Sequence, residues 1–275
     1  MPFLHPGPDP DFPRLGENDF FSFADPKKWE NEITFVDSNE TIRFRRKGTG
    51  WEGGIITVGG NLSPGMLLSA YEQGVFPWYN PGDPVFWQSP DPRCVIYPEK
   101  LHVSSSMRKI LNNRTFNITF DEDFAGVIKG CSEVYRPGQG GTVQQSCTVQ
   151  QSCTWISDDI IEAYTELHRL GWAHSAEAWQ DGMLLGGCYG VLMGKVFVGE
   201  SMFAKKSNAS KAAFLTLAEK LFENGLALID CQVQTGHLMS LGGEELPRRD
   251  YLALLKKYRV SRYQMPFSLP SLLSL

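Results

Sequence analysis

At 275 residues the chain is long enough for one large or two modest domains of about 150 residues each, with a substantial buried core. Its 42% hydrophobic, 21% charged and 12% aromatic side chains exclude disordered and fibrous classes, and no apolar run approaches the roughly 18 residues of a membrane helix. A net charge of −5, from 26 basic and 31 acidic side chains, argues against a broad grip on nucleic-acid phosphates but leaves room for a small local phosphate site.

The start, Met1 to Pro6, lacks a basic segment followed by an apolar core, so a cytoplasmic protein is expected. Six cysteines (Cys94, Cys131, Cys147, Cys153, Cys188 and Cys231) are scattered without a C-x2-C pair, which reads as reduced thiols and no metal site.

Residues 1 to about 54 are rich in turn formers and charges and read as an irregular layer. Ser63 is placed as the N-cap of a short amphipathic helix with Pro64 at its first position and a stop at Gly74. Five prolines between Phe76 and Arg93 predict irregular backbone, with a domain boundary near Asp91. Two short helices flanking a strand at 116–120 follow. The hexamer Thr142 to Cys147 then recurs unchanged as Thr148 to Cys153, too short for a solenoid repeat and read as a surface insertion at 142–153. A helix is expected from Ser157 to Gly171, with Asp158 and Asp159 at the positive end of its dipole.

Period-two patterning with turns at Asp181-Gly182 and Met193-Gly194 predicts an antiparallel meander over 173–179, 183–191 and 195–202. A helix over 208–224, capped by Ser207 or Asn208, a buried strand over 226–233, and a helix over 248–257 complete the pattern before a loosely attached tail beyond Tyr263. Residues 1–91 read as a small N-terminal domain and 92–275 as one α+β domain.

Strand alternation sends Asp230 and Gln232 to one face and Cys231 to the other, placing a carboxylate beside an amide where an apolar strand leaves the core. A strand-end Asp capping a neighbouring loop is the alternative. Phe197 and Glu200 face opposite ways in strict alternation and serve one pocket only through a bulge at Gly199. Lys205, Lys206 and Lys211 surround a predicted helix start suited to one or two phosphates, and Arg248 and Arg249 form a second basic cluster, although composition alone favours solvated faces for both groups. Trp78 and Trp155 suit either core packing or base stacking. His174 and His237 show no ligand or nucleophile spacing and receive no role.

Together, Gly59 to Pro64, Gly74 to Tyr79, Ser89 to Arg93, Gly199 to Phe203, Asn208 to Lys211, Leu228 to Val233 and Leu246 to Arg249 resemble leucyl/phenylalanyl-tRNA-protein transferases in order and spacing over residues 55–260. The resemblance implies transfer of Leu or Phe from aminoacyl-tRNA to the N-terminal Arg or Lys of acceptor proteins, marking them for degradation by the N-end rule. It also implies an acetyltransferase-like C-terminal domain with a mostly antiparallel sheet flanked by helices. Matched position by position, Asp230 and Gln232 become the catalytic pair and Glu200 a substrate-orienting carboxylate. Trp78 and Trp155 hold the 3′-terminal adenosine; Phe197, Phe214, Leu221 and Ile229 line the amino-acid pocket, with Tyr71 and Tyr164 nearby. Cys188 and Leu217 stand where bulkier residues occur in related sequences, so a shift toward Phe is expected.

Because the donor ester is already activated, no cofactor, metal or covalent intermediate is required. A monomer is expected. Three departures stand out: about 20 extra residues before the first motif, Asn61 in place of Asp, and Gly140-Gly141 separated from Thr154-Trp155-Ile156 by the duplicated hexamer, an insertion whose closure entropy is small. Two other readings remain open. One is a CoA-dependent N-acyltransferase, disfavoured because Lys205-Lys206-Ser207 replaces the usual glycine-rich pyrophosphate turn; the other is a non-catalytic adaptor for basic N-termini.

Overall fold

A computed structural model describes residues 54–134 and 154–259. The irregular N-terminal layer, the duplicated hexamer with Cys147 and Cys153, and the tail after Tyr263 lie outside the described residues.

The first described segment holds β1 (Ile55–Val58) and α1 (Pro64–Glu72), whose N-cap Ser63 accepts the Met66 N–H and whose Pro64 occupies the first turn. Gly74, at φ 73°, turns the chain beyond it. Contrary to the expected irregular backbone, the proline-rich stretch holds β2 (Phe76–Pro77) and β3 (Phe86–Gln88), which with β1 make a three-stranded sheet in the order β1-β3-β2, and it leads into β4 (Arg93–Ile96). The prolines are accommodated because Pro77 lies on an edge strand and the others fall between strands.

Beyond β4 come α2 (Ser105–Asn112), β5 (Asn117–Phe120), α3 (Phe124–Ser132), α4 (Asp158–Arg169), β6 (Ala173–Gln180), β7 (Met183–Met193) and β8 (Val196–Ala204). The meander follows the expected turns: Asp181 and Gly182 both have positive φ, as a type I′ hairpin requires, and Gly194 turns β7 into β8. The described residues close with α5 (Ala209–Glu223), β9 (Leu228–Gln232), α6 (Gly236–Ser240), β10 (Glu244–Leu246) and α7 (Arg248–Tyr258). Of the two candidate caps, Asn208 is the N-cap of α5, at φ 68°.

Among the described residues the main sheet has seven strands in the order β10-β4-β9-β8-β7-β6-β5, antiparallel throughout except for β8 beside β9, as an α+β fold with a mostly antiparallel sheet. Helices cover both faces. One cluster joins Met66 and Tyr71 of α1, Trp87 of β3, Tyr164 of α4 and Tyr251 of α7; the other joins Met107 of α2 to Phe214, Leu217 and Leu221 of α5. The parallel β8/β9 pair lies in the middle of the sheet, between these layers, and carries the polar residues that the sequence singles out. β4, β10 and α6 were not anticipated: four, three and five residues are too short for periodicity to register.

Candidate functional site

Glu200 reaches the site through a register break. In the β7/β8 ladder Tyr189 faces Ser201 and Gly190 faces Gly199, which leaves Glu200 as the extra residue of a bulge. Gly190 is required there, since an added Cβ would lie 2.3 Å from the Val198 carbonyl oxygen and 2.6 Å from the Phe197 ring. The bulge lets Phe197 and Glu200 line one cavity, the condition that strict alternation forbids.

That cavity, of about 240 Å³, is lined by Phe76, Trp78 and Trp155, by the apolar side chains of Cys188, Phe197, Phe214 and Ile229, by Glu200 in the middle of β8, and by Cys231 and Gln232 at the end of β9. Among its lining residues Glu200 is the sole carboxylate. Its side chain is buried and meets three donors: the Tyr71 hydroxyl gives to Oε1 at 2.7 Å, the Tyr164 hydroxyl to Oε2 at 3.3 Å, and the Gln232 amide Nε2 to Oε1 at 3.1 Å. The two tyrosine hydroxyls are also in contact with each other, so their two protons are shared among the three oxygen contacts of this cluster. Burial pushes the Glu200 carboxyl up to about 7, against the tyrosine hydrogen bonds, which favour its charge.

Asp230 and Gln232 do not share a face, contrary to the alternation argument. Gln232 adopts φ 63°, a left-handed conformation that costs a non-glycine residue about 1–3 kcal/mol and breaks the period of two. Its backbone N–H donates to Asp230 Oδ1 at 2.9 Å, which holds the turn. Gln232 therefore lines the cavity together with Cys231, whereas Asp230, at 0% exposure, does not.

Asp230 is instead gripped by Arg93, whose Nε and Nη2 donate to its two oxygens at 2.8 and 2.6 Å, and by the Tyr251 hydroxyl at 2.6 Å. Arg93, 1% exposed, also donates to the Gly74 carbonyl at 3.2 Å and lies between the rings of Phe76 and Tyr251. This buried bidentate pair ties the segment bearing Trp78 to the strand bearing Gln232. Arg93 also matches the Asp230 charge, which leaves Glu200 as the carboxyl group that faces the cavity.

The remaining expected residues divide clearly. Trp78, Trp155, Phe197, Phe214, Cys188 and Ile229 line the cavity. Leu217 and Leu221 do not; they share the face of α5 that carries Phe214 but lie one and two turns further along it, buried in the same cluster as Cys188, Phe197 and Ile229 behind the cavity wall. Tyr71 and Tyr164 act on the cavity only through Glu200. Lys205 and Lys206 are exposed beside the start of α5, Lys206 donating to Gln180 at 2.6 Å. Arg249 is exposed, but Arg248 is anchored: its Nη1 donates to the Ser89 carbonyl at 2.8 Å and its N–H to Asp91.

Three residues that sequence reasoning left aside belong to the site. Arg93 and Tyr251 occur in or beside the quoted motifs, but nothing local indicates that both converge on Asp230. His237 lines the cavity from α6, with Thr235 and Leu238, whereas His174 is buried against Asp121 at 2.8 Å and lies off the cavity. Among the described residues no group of three or more potential ligands could hold a metal ion, and no helix is long and apolar enough to cross a membrane.

Residues 95–256 match the family model described as leucyl/phenylalanyl-tRNA protein transferase, and residues 60–91 match the model of that family's N-terminal domain. Three relatives carry the name leucyl/phenylalanyl-tRNA–protein transferase. One from Flavobacterium johnsoniae is 47% identical over 205 residues, covering 74% of this chain and 91% of its own length. One from Myxococcus xanthus is 49% identical over 204 residues, 74% of this chain and 82% of its own, and one from Shigella dysenteriae serotype 1 is 45% identical over 217 residues, 79% and 86%.

Proposed function

The chain belongs to the leucyl/phenylalanyl-tRNA protein transferase family, and on that premise we propose that its cavity takes the aminoacyl end of Leu- or Phe-tRNA and passes the amino acid to the N-terminal Arg or Lys of an acceptor protein. It is an aminoacyltransferase. The observation that carries the finer reading is one cavity holding two indoles, an apolar wall and the Gln232 amide beside Glu200.

Trp78 and Trp155 take the terminal adenosine between them, and the wall of Phe197, Phe214 and Ile229 takes the Leu or Phe side chain. Aminolysis of the ester then needs the attacking amine to be placed against the carbonyl carbon and freed of a proton, since its reference pKa is about 7.7–8.0. The Gln232 amide nitrogen is engaged by Glu200, so its carbonyl is the end that accepts an N–H of the incoming amine and aims the nitrogen lone pair. Asp230 acts through the backbone: ionised against Arg93, it fixes the left-handed turn that points Gln232 into the cavity. Glu200 orients that amide and faces the cationic acceptor. Lys205, Lys206, Lys211 and Arg249 are the side chains offered to tRNA phosphates, with Arg248 contributing from its anchored position. We divide the chain near Asp91, the N-terminal part supplying Trp78.

Incubation with labelled Phe-tRNA and a peptide beginning with Arg tests this directly. Label is expected on the α-amine of the Arg peptide and not on a peptide beginning with Asp. Binding of the Arg peptide without transfer would favour an adaptor, and transfer from an acyl-CoA a CoA-dependent enzyme.

A further inference from the structure

The proposed reaction leaves one proton without an acceptor. The neutral Gln232 carbonyl can orient the amine but is too weak a base to deprotonate it, and Asp230 is sealed from the cavity by Arg93, Tyr251 and the Gln232 backbone. Glu200 reaches the cavity, yet its two oxygens already receive the Tyr71 and Tyr164 hydroxyls and the Gln232 amide.

His237 is the cavity's remaining basic group. α6, which carries it, is fixed by the Thr235 hydroxyl, which accepts the Leu238 N–H at 3.2 Å, and by packing of Leu241 into the core cluster beneath. The imidazole is half-buried at the cavity lining, and among the described residues no hydrogen bond to its ring is present. Burial, with the positive charge of Lys211 on α5 adding to it, holds the ring below its ordinary pKa. The other titratable groups lining the cavity, Cys188, Tyr189, Glu200 and Cys231, come from the strands. His237 is thus neutral at physiological pH and able to accept.

Resting on the transferase reading, we infer that His237 is a catalytic residue of the transfer step, taking the proton that the attacking α-amine sheds. The amine nitrogen bonds to the ester carbonyl carbon, and the positively charged nitrogen of the tetrahedral intermediate gives its proton to His237. The bond from that carbon to the ribose oxygen then breaks, and His237 returns the proton to the departing oxygen. Atoms and charge balance without a cofactor.

The test is chemical rescue. In wild-type protein, labelled Phe moves from Phe-tRNA to the Arg-starting peptide; His237→Ala should lower kcat by roughly 10²- to 10⁴-fold, with KM for Phe-tRNA changed less than about twofold. Free imidazole should then restore at least about tenfold of the lost rate, in proportion to its neutral fraction between about pH 6 and pH 8. His237→Gln, isosteric but not basic, should stay slow. Wild-type protein that transfers no label overturns the transferase reading and this inference together. Wild-type transfer with a His237→Ala variant that keeps its rate, loses only KM, or ignores imidazole overturns the inference alone. So does a pH profile erased by Glu200→Gln and unaltered by His237→Ala, which places the base on Glu200.

Discussion

Gln232 Nε2 and Glu200 Oε1 are 3.1 Å apart, and both residues owe their position to a departure from regular strand geometry: a bulge at Glu200 and a left-handed turn at Gln232. An ideal parallel pair would alternate its side chains strictly and could not aim both at one cavity. The amide and the carboxyl form one unit, and its charge state depends on burial.

The raised pKa of Glu200 has a consequence for stability with a definite sign. Since its folded value, about 7, lies above the ordinary 4.5, the carboxyl contributes stability that is fully present below about pH 4.5 and lost as pH rises through about 7. The difference is of order 3 kcal/mol. Glu200→Gln removes the titration, so the variant's Tm relative to wild type should climb by about 5 °C or more from pH 5 to pH 8. Thermal unfolding at four pH values measures it; a constant offset would contradict the burial argument.

Arg93 and Asp230 should separate stability from activity. Asp230→Asn leaves a buried guanidinium without its counter-ion and is expected to cost about 3–5 kcal/mol, seen as a lower urea midpoint, together with most of the transfer rate. Adding Arg93→Met removes the stranded charge and should recover much of the stability. Transfer should stay low, because the Gln232 N–H still lacks its charged acceptor. Recovery of both in the double variant would show that Asp230 does not position Gln232.

The meander, the α5 helix and the β9 strand were legible because hydrophobic periodicity and Asp-Gly or Met-Gly turns act within a few residues of sequence. The candidate site was legible to a different extent. The motifs named Gln232, Glu200 and both tryptophans, but the orientation of each depends on partners far along the chain. Asp230 is bound by Arg93, 137 positions away, and Glu200 by Tyr71, 129 positions away. The turn at Gln232 is equally invisible locally, since a backbone N–H captured by the side chain two residues earlier leaves no mark on period-two patterning. His237 was overlooked because an isolated histidine on a five-residue helix shows neither amphipathic spacing nor ligand spacing.

Cavity width should set the preference between donors. Cys188 lines the apolar wall, and the space beside its small thiol is expected to favour Phe. Cys188→Met should fill it and lower the ratio of kcat/KM for Phe-tRNA over Leu-tRNA by about 5- to 10-fold, within the 1–3 kcal/mol range that one methylene in an apolar pocket supplies. Leu217 provides the contrast: because it is buried behind the wall and does not line the cavity, Leu217→Phe should cost about 1–3 kcal/mol through overpacking and alter the ratio much less. Competition between the two charged tRNAs, with Tm measured in parallel, distinguishes the two effects.

The indoles differ in how far each is shared with the core. Trp78 is half-buried at the cavity, whereas Trp155, 6% exposed, is also a member of the core cluster with Tyr71 and Tyr164. Loss of one stacking partner weakens base binding by about 1–3 kcal/mol, so Trp78→Ala should raise KM for Phe-tRNA by roughly 5- to 150-fold while leaving kcat at saturating tRNA and Tm nearly unchanged. Trp155→Ala should raise KM similarly and also lose about 3–5 kcal/mol of stability from the cavity it leaves. Steady-state kinetics beside thermal unfolding makes the comparison. A Trp78→Ala variant with wild-type KM would remove that indole from adenosine binding and leave Trp155 as the stacking surface.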